Sequence, residues 1–315
     1  MEKTWEFETG FEKGGQTREH AMLVKTAGVK HLVILITKMD DPTVNWEEDR
    51  YNYCVEKILP YLKLLGFNPE KDLSFLPVSG QTGQGLLEKV SDDVCPWYSG
   101  PSFIQLLEQL PPIKRCTDGP FVMPVGDKYK DMGTILLGKV ESGETYKGSN
   151  LIVMPNKIHV IVDQLWSDNL EVSSVASGEN VKVKLKGIEE EEVSIGFVLC
   201  EIHELVSTGK IFDAQVVIME TKSIITAGFS AVMHIHCVVE EVLVKALICL
   251  VDKKTGEKSR TRPRFVKDGQ VAIMRIECSG TICVAPFKTF EPLSRFTLRD
   301  ENKTIAFGKV LKVIM

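Results

Sequence analysis

Several things are missing from this sequence of 315 residues, and each absence closes off a class of function. No apolar run approaches the roughly 18 residues that a membrane-spanning helix needs. The opening stretch, MEKTWEFETGFEKGG, lacks the charged-then-apolar order of a secretory signal. The eight cysteines are scattered without a Cys-x-x-Cys pair, and Cys237 and Cys249 lie in apolar, strand-like runs. Such usage fits reduced thiols in a cytoplasmic protein better than a disulfide framework. Tandem repeats and low-complexity tracts are absent. A net charge of −5 gives no bulk attraction to a polyanion, so any nucleic-acid contact has to come from a local basic patch. What is present, 43% hydrophobic and 26% charged residues, is the balance of a soluble globular chain with room for two or three domains.

Two regimes of periodicity meet near Pro111–Gly119. Before that border, helical and buried-strand patterns alternate. Thr17–Ala27 reads as a helix stopped by Gly28, and His31–Ile36 as a short buried parallel strand rich in β-branched residues. Trp46–Leu65 carries Tyr51, Val55, Ile58, Leu59 and Leu62 at helical spacing, with Gly66 as its stop. Leu73–Val78 reads as a second strand and Phe103–Leu110 as a last helix, giving an α/β order. Beyond Gly119 the period falls to two. Val181, Val183 and Leu185 alternate with Lys182, Lys184 and Lys186, and short strands recur between turns such as Ser142-Gly143, Lys147-Gly148 and Thr255-Gly256. With a further break at Val206–Gly209, this predicts two antiparallel barrels. The expected fold is α/β over 1–117, then barrels over 118–208 and 209–315. Two strands are few for a parallel sheet, which implies part of a larger domain, the alternative being a small two-strand unit packed on the barrels.

The chemistry concentrates at the carboxyl ends of the two strands, where open α/β sheets bind ligands. Thr37-Lys38-Met39-Asp40 follows the first strand and resembles the [NT]-K-x-D guanine-recognition motif of GTPases. An aspartate accepts hydrogen bonds from the ring N–H and exocyclic amine of guanine, an arrangement adenine does not offer, while a lysine stem lies across the base. Translation factors usually carry asparagine where Thr37 stands. Ser79-Gly80-Gln81 follows the second strand. The matching GTPase segment presents a backbone N–H to the guanine O6, and Gly80 permits close approach. Each loop has a plain alternative, a solvated Lys-x-Asp turn and a glycine-rich turn, but the order and the strand ends match on both.

The segment Glu6–His20 is similar to the stretch linking the switch region to the next helix in termination factors. Val44-Asn-Trp46, Cys95-Pro-Trp-Tyr98, Asp127–Gly133, Gly187–Val193, Leu250–Lys254, Thr261–Lys267 and Arg295–Asp300 are similar to eukaryotic class-II peptide-chain release factors. The resemblance runs from about Glu6 to the end and identifies the chain as a member of that family, translational GTPases of the elongation-factor superfamily. It implies a soluble, monomeric, cytoplasmic protein whose GTP form delivers the stop-codon-reading class-I release factor to the ribosome, with Mg²⁺ bridging the phosphates. It also implies that the last barrel docks the class-I factor, through Arg295, Phe296 and Arg299. The basic cluster Lys253–Lys267, with Arg262, Arg264 and Phe265, reads either as a solubilising loop or as a contact with the partner or with RNA phosphate. Ser294 stands where the family has glycine.

No Gly-x4-Gly-Lys-[Ser/Thr] and no Asp-x-x-Gly occurs in the sequence. The near match Gly133–Val140 fails at its last position and reads as a barrel strand. No catalytic residue and no metal ligand is therefore assigned, and the chain alone is expected to bind GTP weakly and not hydrolyse it. His234 and His236 sit as a metal pair would on a strand, with no third ligand, which favours a structural role. Two further readings stay open: a binding module that holds the class-I factor without catalysis, and the ribosome-rescue paralogue or an elongation-type carrier of aminoacyl-tRNA.

Overall fold

The structure, a computed structural model, describes residues 5–11, 15–26, 28–111, 115–219, 221, 224–252, 255–301 and 303–314. Its contacts divide the chain into two compact units, Met1–Ile113 and Lys114–Met315.

In the first unit the helices are α1 (Trp5–Phe11), α2 (Gln16–Thr26), α3 (Glu48–Leu64) and α4 (Phe103–Gln109), and the strands are β1 (Leu32–Ile36) and β2 (Leu73–Pro77). The strands pair in parallel, Leu32 opposite Leu73 through Ile36 opposite Pro77. Helix α3 ends on Gly66 at φ +86°. There Gly66 N–H reaches the Lys63 carbonyl (2.9 Å) and Phe67 N–H the Leu62 carbonyl (3.1 Å). This double bond pattern caps the orphan carbonyls, and Phe67 and Leu62 are buried beside it. At α4 the Ser102 hydroxyl accepts the Gln105 N–H while the Gln105 side chain accepts the Ser102 N–H, a reciprocal cap.

One element was not read from the sequence, and two expectations need correction. The first described residues form helix α1. Phe7 and Phe11, one turn apart, stack at 5.6 Å, and Phe11 meets Tyr61 edge-on at 6.0 Å. Helix α3 starts at Glu48, not Trp46, because Asn45 and Trp46 take positive φ (45° and 56°). Strand β1 is half-buried except at Ile36, since among the described residues only β2 pairs with it.

In the second unit the first barrel contains β3 (Val122–Lys130), β4 (Thr134–Lys139), β5 (Glu144–Tyr146), β6 (Asn150–Met154), β7 (Ile158–Ser167), β8 (Leu170–Val172), β9 (Ser174–Ala176), β10 (Asn180–Lys186) and β11 (Val198–Glu201). The order β10-β4-β3-β11-β6-β7 closes through β10–β7 pairing. Val181, Val183 and Leu185 point into its core, as the alternation required. The near match Gly133–Val140 is strand β4, packed against β3. The second barrel follows with β12 (Thr208–Ile218), β13 (Ile225–Thr226), β14 (Ser230–Ile235), β15 (Val238–Val251), β16 (Phe265–Val266), β17 (Val271–Cys283), β18 (Arg295–Asp300) and β19 (Lys303–Ile314). It closes in the order β12-β17-β15-β14-β18-β19. A separate apolar seam joins Val122, Ile152, Met154, Val198 and Cys200 of the first barrel to Cys283, Ala285 and Leu293 of the second.

Candidate functional site

Parallel register carries the two loops after β1 and β2 out of the sheet side by side. Ile36 and Pro77 are partners, so Thr37–Asp40 and Val78–Gln81 emerge as neighbours. Val78 N–H then donates to the Ile36 carbonyl (2.9 Å), and Met39 N–H donates to the Val78 carbonyl (3.4 Å). The two loops thus leave the sheet side by side and are joined through Met39 and Val78.

Their roles within the pair of loops differ. Met39 (1% exposed) and Ser79 (0%) are anchors turned inward. The Ser79 hydroxyl accepts the Thr82 N–H (3.1 Å), and Ser79 N–H donates to the Gln84 carbonyl (3.0 Å). Together these fix the turn that holds Gly80. Thr37, Lys38, Gly80 and Gln81 are exposed and Asp40 is half-buried. Apart from its two chain neighbours, no described atom lies within 4 Å of the position a Cβ would take on Gly80, which leaves that side of the turn open. Lys38 sits at φ +62°, and its ammonium is ion-paired with Glu6 of α1. That hydrogen bond holds the ammonium above the usual lysine range. Asp40 makes no side-chain hydrogen bond or ion pair within the described residues, which leaves both carboxylate oxygens as acceptors for a ligand. The donor and acceptor set fits a purine edge with an N–H and an amine. Among the described residues no group of three or more His, Cys, Asp or Glu side chains is placed to hold a metal ion.

Sequence reasoning missed the residues behind these loops. Trp46 N–H donates to the Met39 carbonyl (2.8 Å), and the Trp97 indole N–H donates to the Trp46 carbonyl (2.8 Å). Trp97 packs on Tyr51 with ring centres 5.0 Å apart, and the Tyr51 hydroxyl donates to the Phe75 carbonyl in β2. The motifs 44–46 and 95–98 were visible in the sequence; their convergence behind the base loop was not.

The expected partner surface is only partly a surface. Phe296 is 1% exposed and meets Phe212 edge-on at 5.8 Å in the barrel core. It is not available to a partner, and its expected anchor role is withdrawn. Arg295 and Arg299 of the same strand are half-buried. Arg295 is ion-paired with Glu291 and lies over the Phe287 ring at 5.2 Å, and Arg299 lines a cleft of about 490 Å³ with Lys210, Glu241 and Glu277. Arg262, Arg264 and Phe265 are exposed, and Lys267 lies over the Phe265 ring at 5.3 Å. The turn before them is built by Asp252, whose carboxylate accepts Thr255 N–H (2.9 Å) and whose carbonyl accepts Gly256 N–H (2.9 Å). Lys253 and Lys254 of the basic cluster lie outside the described residues.

His234 and His236 do not form a strand pair. Strand β14 ends at Ile235, and His236 sits in the following turn at φ +40° with Nε2 3.0 Å from the Cys283 carbonyl. The acidic run Glu189–Glu192 is held by two ion pairs, Lys130 with Glu189 (3.0 Å) and Lys128 with Glu190 (2.8 Å).

Three family matches tile the chain. Residues 8–114 match the Elongation factor Tu GTP binding domain, 133–200 match Elongation factor Tu domain 2, and 211–311 match the GTP-eEF1A C-terminal domain-like family. The eukaryotic peptide chain release factor GTP-binding subunit of Kluyveromyces lactis is 46% identical over 310 residues, 98% of this chain and 44% of the relative. That of Ogataea pini is also 46% identical over 310 residues, covering 42% of its length. The chain thus spans less than half the length of these relatives. The crystal structure of sup35 complexed with GDP is 42% identical with a TM-score of 0.61, covering 98% of this chain and 76% of that one. The apo translation elongation factor SelB from Methanococcus maripaludis shares the fold at 18% identity and a TM-score of 0.67, covering 95% of this chain and 62% of that one.

Proposed function

The chain belongs to the family of eukaryotic peptide chain release factor GTP-binding subunits, and from that premise we propose that it recognises a guanine nucleotide by its base. Asp40 accepts the ring N–H and the exocyclic amine, the Lys38 stem covers one face, and the backbone at Gly80 donates to O6. The observation that carries this reading is the backbone bond from Met39 to Val78, which locks the Asp40 loop to the Gly80 loop. The Asp40 carboxylate, which has no side-chain partner among the described residues, and the open space at Gly80 support it.

Most of a GTPase's grip on its nucleotide comes from phosphate and metal contacts. GTP or GDP with Mg²⁺ is the ligand of the family, but no residue of this chain is assigned to the phosphates, the metal or the attacking water. Its role in the nucleotide cycle is base selection, and no hydrolytic step is assigned to it. In termination the two barrels act as the adapter: the exposed Arg262, Arg264 and Phe265, with Arg295 and Arg299 of β18, face the stop-codon-reading class-I release factor or ribosomal RNA.

A titration with fluorescent GDP tests the base site. We expect weak, saturable binding that unlabelled GDP displaces and ADP does not. Absence of displacement, or equal displacement by ADP, contradicts the assignment. Capture by immobilised chain tests the adapter role, which requires retention of the class-I release factor in preference to aminoacyl-tRNA.

A further inference from the structure

Two sequence motifs take no direct part in the base site, Val44-Asn-Trp46 and Cys95-Pro-Trp-Tyr98, yet they meet directly behind it. Four hydrogen bonds run in one direction from the second motif into the sheet. The Trp97 indole N–H donates to the Trp46 carbonyl, and Trp46 N–H donates to the Met39 carbonyl, both at 2.8 Å. Met39 N–H donates to the Val78 carbonyl at 3.4 Å, and Val78 N–H to the Ile36 carbonyl at 2.9 Å. The first link joins the two motifs, and each of the other three touches one of the two loops or the strand it leaves.

The segment between Asp40 and Trp46 would not hold this shape by default. Asn45 and Trp46 are consecutive non-glycine residues with positive φ, a conformation that L-residues avoid unless their surroundings impose it. The surroundings are on both sides. Upstream, the Asp41 carboxylate accepts the Thr43 N–H (2.9 Å) and hydroxyl (2.7 Å). The Asp41 carbonyl accepts the N–H of Val44 (2.8 Å) and of Asn45 (2.7 Å). Downstream, the Trp46 side chain is 6% exposed, and its carbonyl is held by Trp97. Trp97 is in turn fixed by a tilted ring contact with Tyr51 at 5.0 Å and by edge contact with Tyr98 at 6.1 Å. Tyr51 is tied through its hydroxyl to Phe75 of β2 (3.1 Å), and Tyr98 through its hydroxyl to the Pro101 carbonyl (3.0 Å). Met39 precedes Asp40 directly, so the carbonyl on which the relay pulls belongs to the same peptide unit that orients the Asp40 backbone.

We propose that Trp97 is a positioning residue for base recognition, acting through the Trp46 carbonyl and Met39 to hold Asp40 at the correct distance from the Gly80 loop. This inference rests on the guanine reading above. It gives the two motifs a shared purpose: they brace the base loop from behind, through residues that never touch the ligand. Preorganisation of this kind shows most in discrimination between close analogues, because a site built to bond an amine loses contacts when the analogue lacks it.

The test uses the full chain with Trp97→Phe, which keeps an aromatic ring and removes the indole N–H. Two readouts are taken, amide hydrogen exchange at Met39 and Trp46, and the ratio of affinities for GDP and IDP, whose base lacks the exocyclic amine. Loss of one buried hydrogen bond corresponds to about a fivefold effect. We expect exchange at both amides to quicken about fivefold and the GDP-to-IDP ratio to fall by a similar factor. Trp166→Phe, in β7, should leave both readouts unchanged. If Trp97→Phe does not fold, replacement of Trp97 by its benzothiophene analogue keeps the shape, removes the N–H and carries the same readouts. Should the unmodified chain bind neither nucleotide, the guanine reading falls, while the exchange readout still decides the brace. Unchanged exchange at Met39 and Trp46, or quickened exchange with an unaltered GDP-to-IDP ratio, would overturn the proposal.

Discussion

His236 shows how one side chain couples burial to acidity. It lies in the turn between β14 and β15, against the Cys283 carbonyl at the apolar seam between the barrels. Burial pushes its pKa down to about 4, against the hydrogen bond to the Cys283 carbonyl, which raises it. An unfolded histidine titrates near pH ~6.5, so between about pH 6.5 and 4 the unfolded chain holds more protons than the folded one. Stability from this group is therefore full above the unfolded value and is lost as the pH falls through that window. We expect the urea midpoint to drop between pH 7 and 4.5, and the drop to be smaller in His236→Gln; equal slopes for the two proteins contradict the assignment. Phe296 carries the complementary lesson. The period of two along Arg295–Asp300 already put Phe296 and Leu298 on one face and Arg295 and Arg299 on the other. Resemblance and residue type pointed to an exposed anchor, and the strand period was the better guide: the ring is in the core.

At the scale of elements, most of the α/β unit was legible because its signals are local. Gly28 and Gly66 stop their helices at positive φ (87° and 86°), and alternation in β10 named its buried face correctly. Helix α1 was not legible, because it stands on tertiary contacts. Phe11 packs on Tyr61, Arg18 lies over both of their rings (4.7 and 5.2 Å), and Arg50 of α3 pairs with Glu8 at 2.8 Å. The start of α3 was misplaced by two residues because the apolar Trp46 fits the helical period but serves the loop instead. The cap of α4 was present in the sequence as Ser-x-x-Gln. Ser102→Ala removes the acceptor for the Gln105 N–H and the hydroxyl donor to the Leu87 carbonyl. It should lower stability by about 1 kcal/mol in urea unfolding; no change would mean that the cap is not formed in solution.

At the scale of the whole molecule, the least legible feature was the seam between the barrels. Val198, Leu199 and Cys200 of β11 are all buried, the middle one in the barrel core and its neighbours in the seam. Burial on both faces erases alternation, so the strand reads as a featureless apolar run. Gly196 lies at the edge of this contact at φ +90°, where a Cβ would come within 2.2 Å of the Val238 side chain and 3.2 Å of its backbone. We expect residues 114–315 to unfold as one cooperative transition, and Gly196→Val to separate the two barrels into distinct transitions in calorimetry. A single unaltered transition in the variant would show that the barrels do not depend on this contact. The two loops proposed to hold the base were legible as short motifs at strand ends. Their separation was not, since only the parallel register of β1 and β2 sets it.

The central claim is that the two loops select guanine through the Asp40 carboxylate. Asp40→Asn exchanges one acceptor oxygen for an amide donor, which suits xanthine, whose C2 carries a carbonyl where guanine carries an amine. Competition binding of GDP and xanthosine diphosphate to the two proteins tests this most directly. We expect the original chain to prefer GDP and the variant to prefer xanthosine diphosphate, with each preference worth about tenfold or more. Retention of the same preference by both proteins would contradict it.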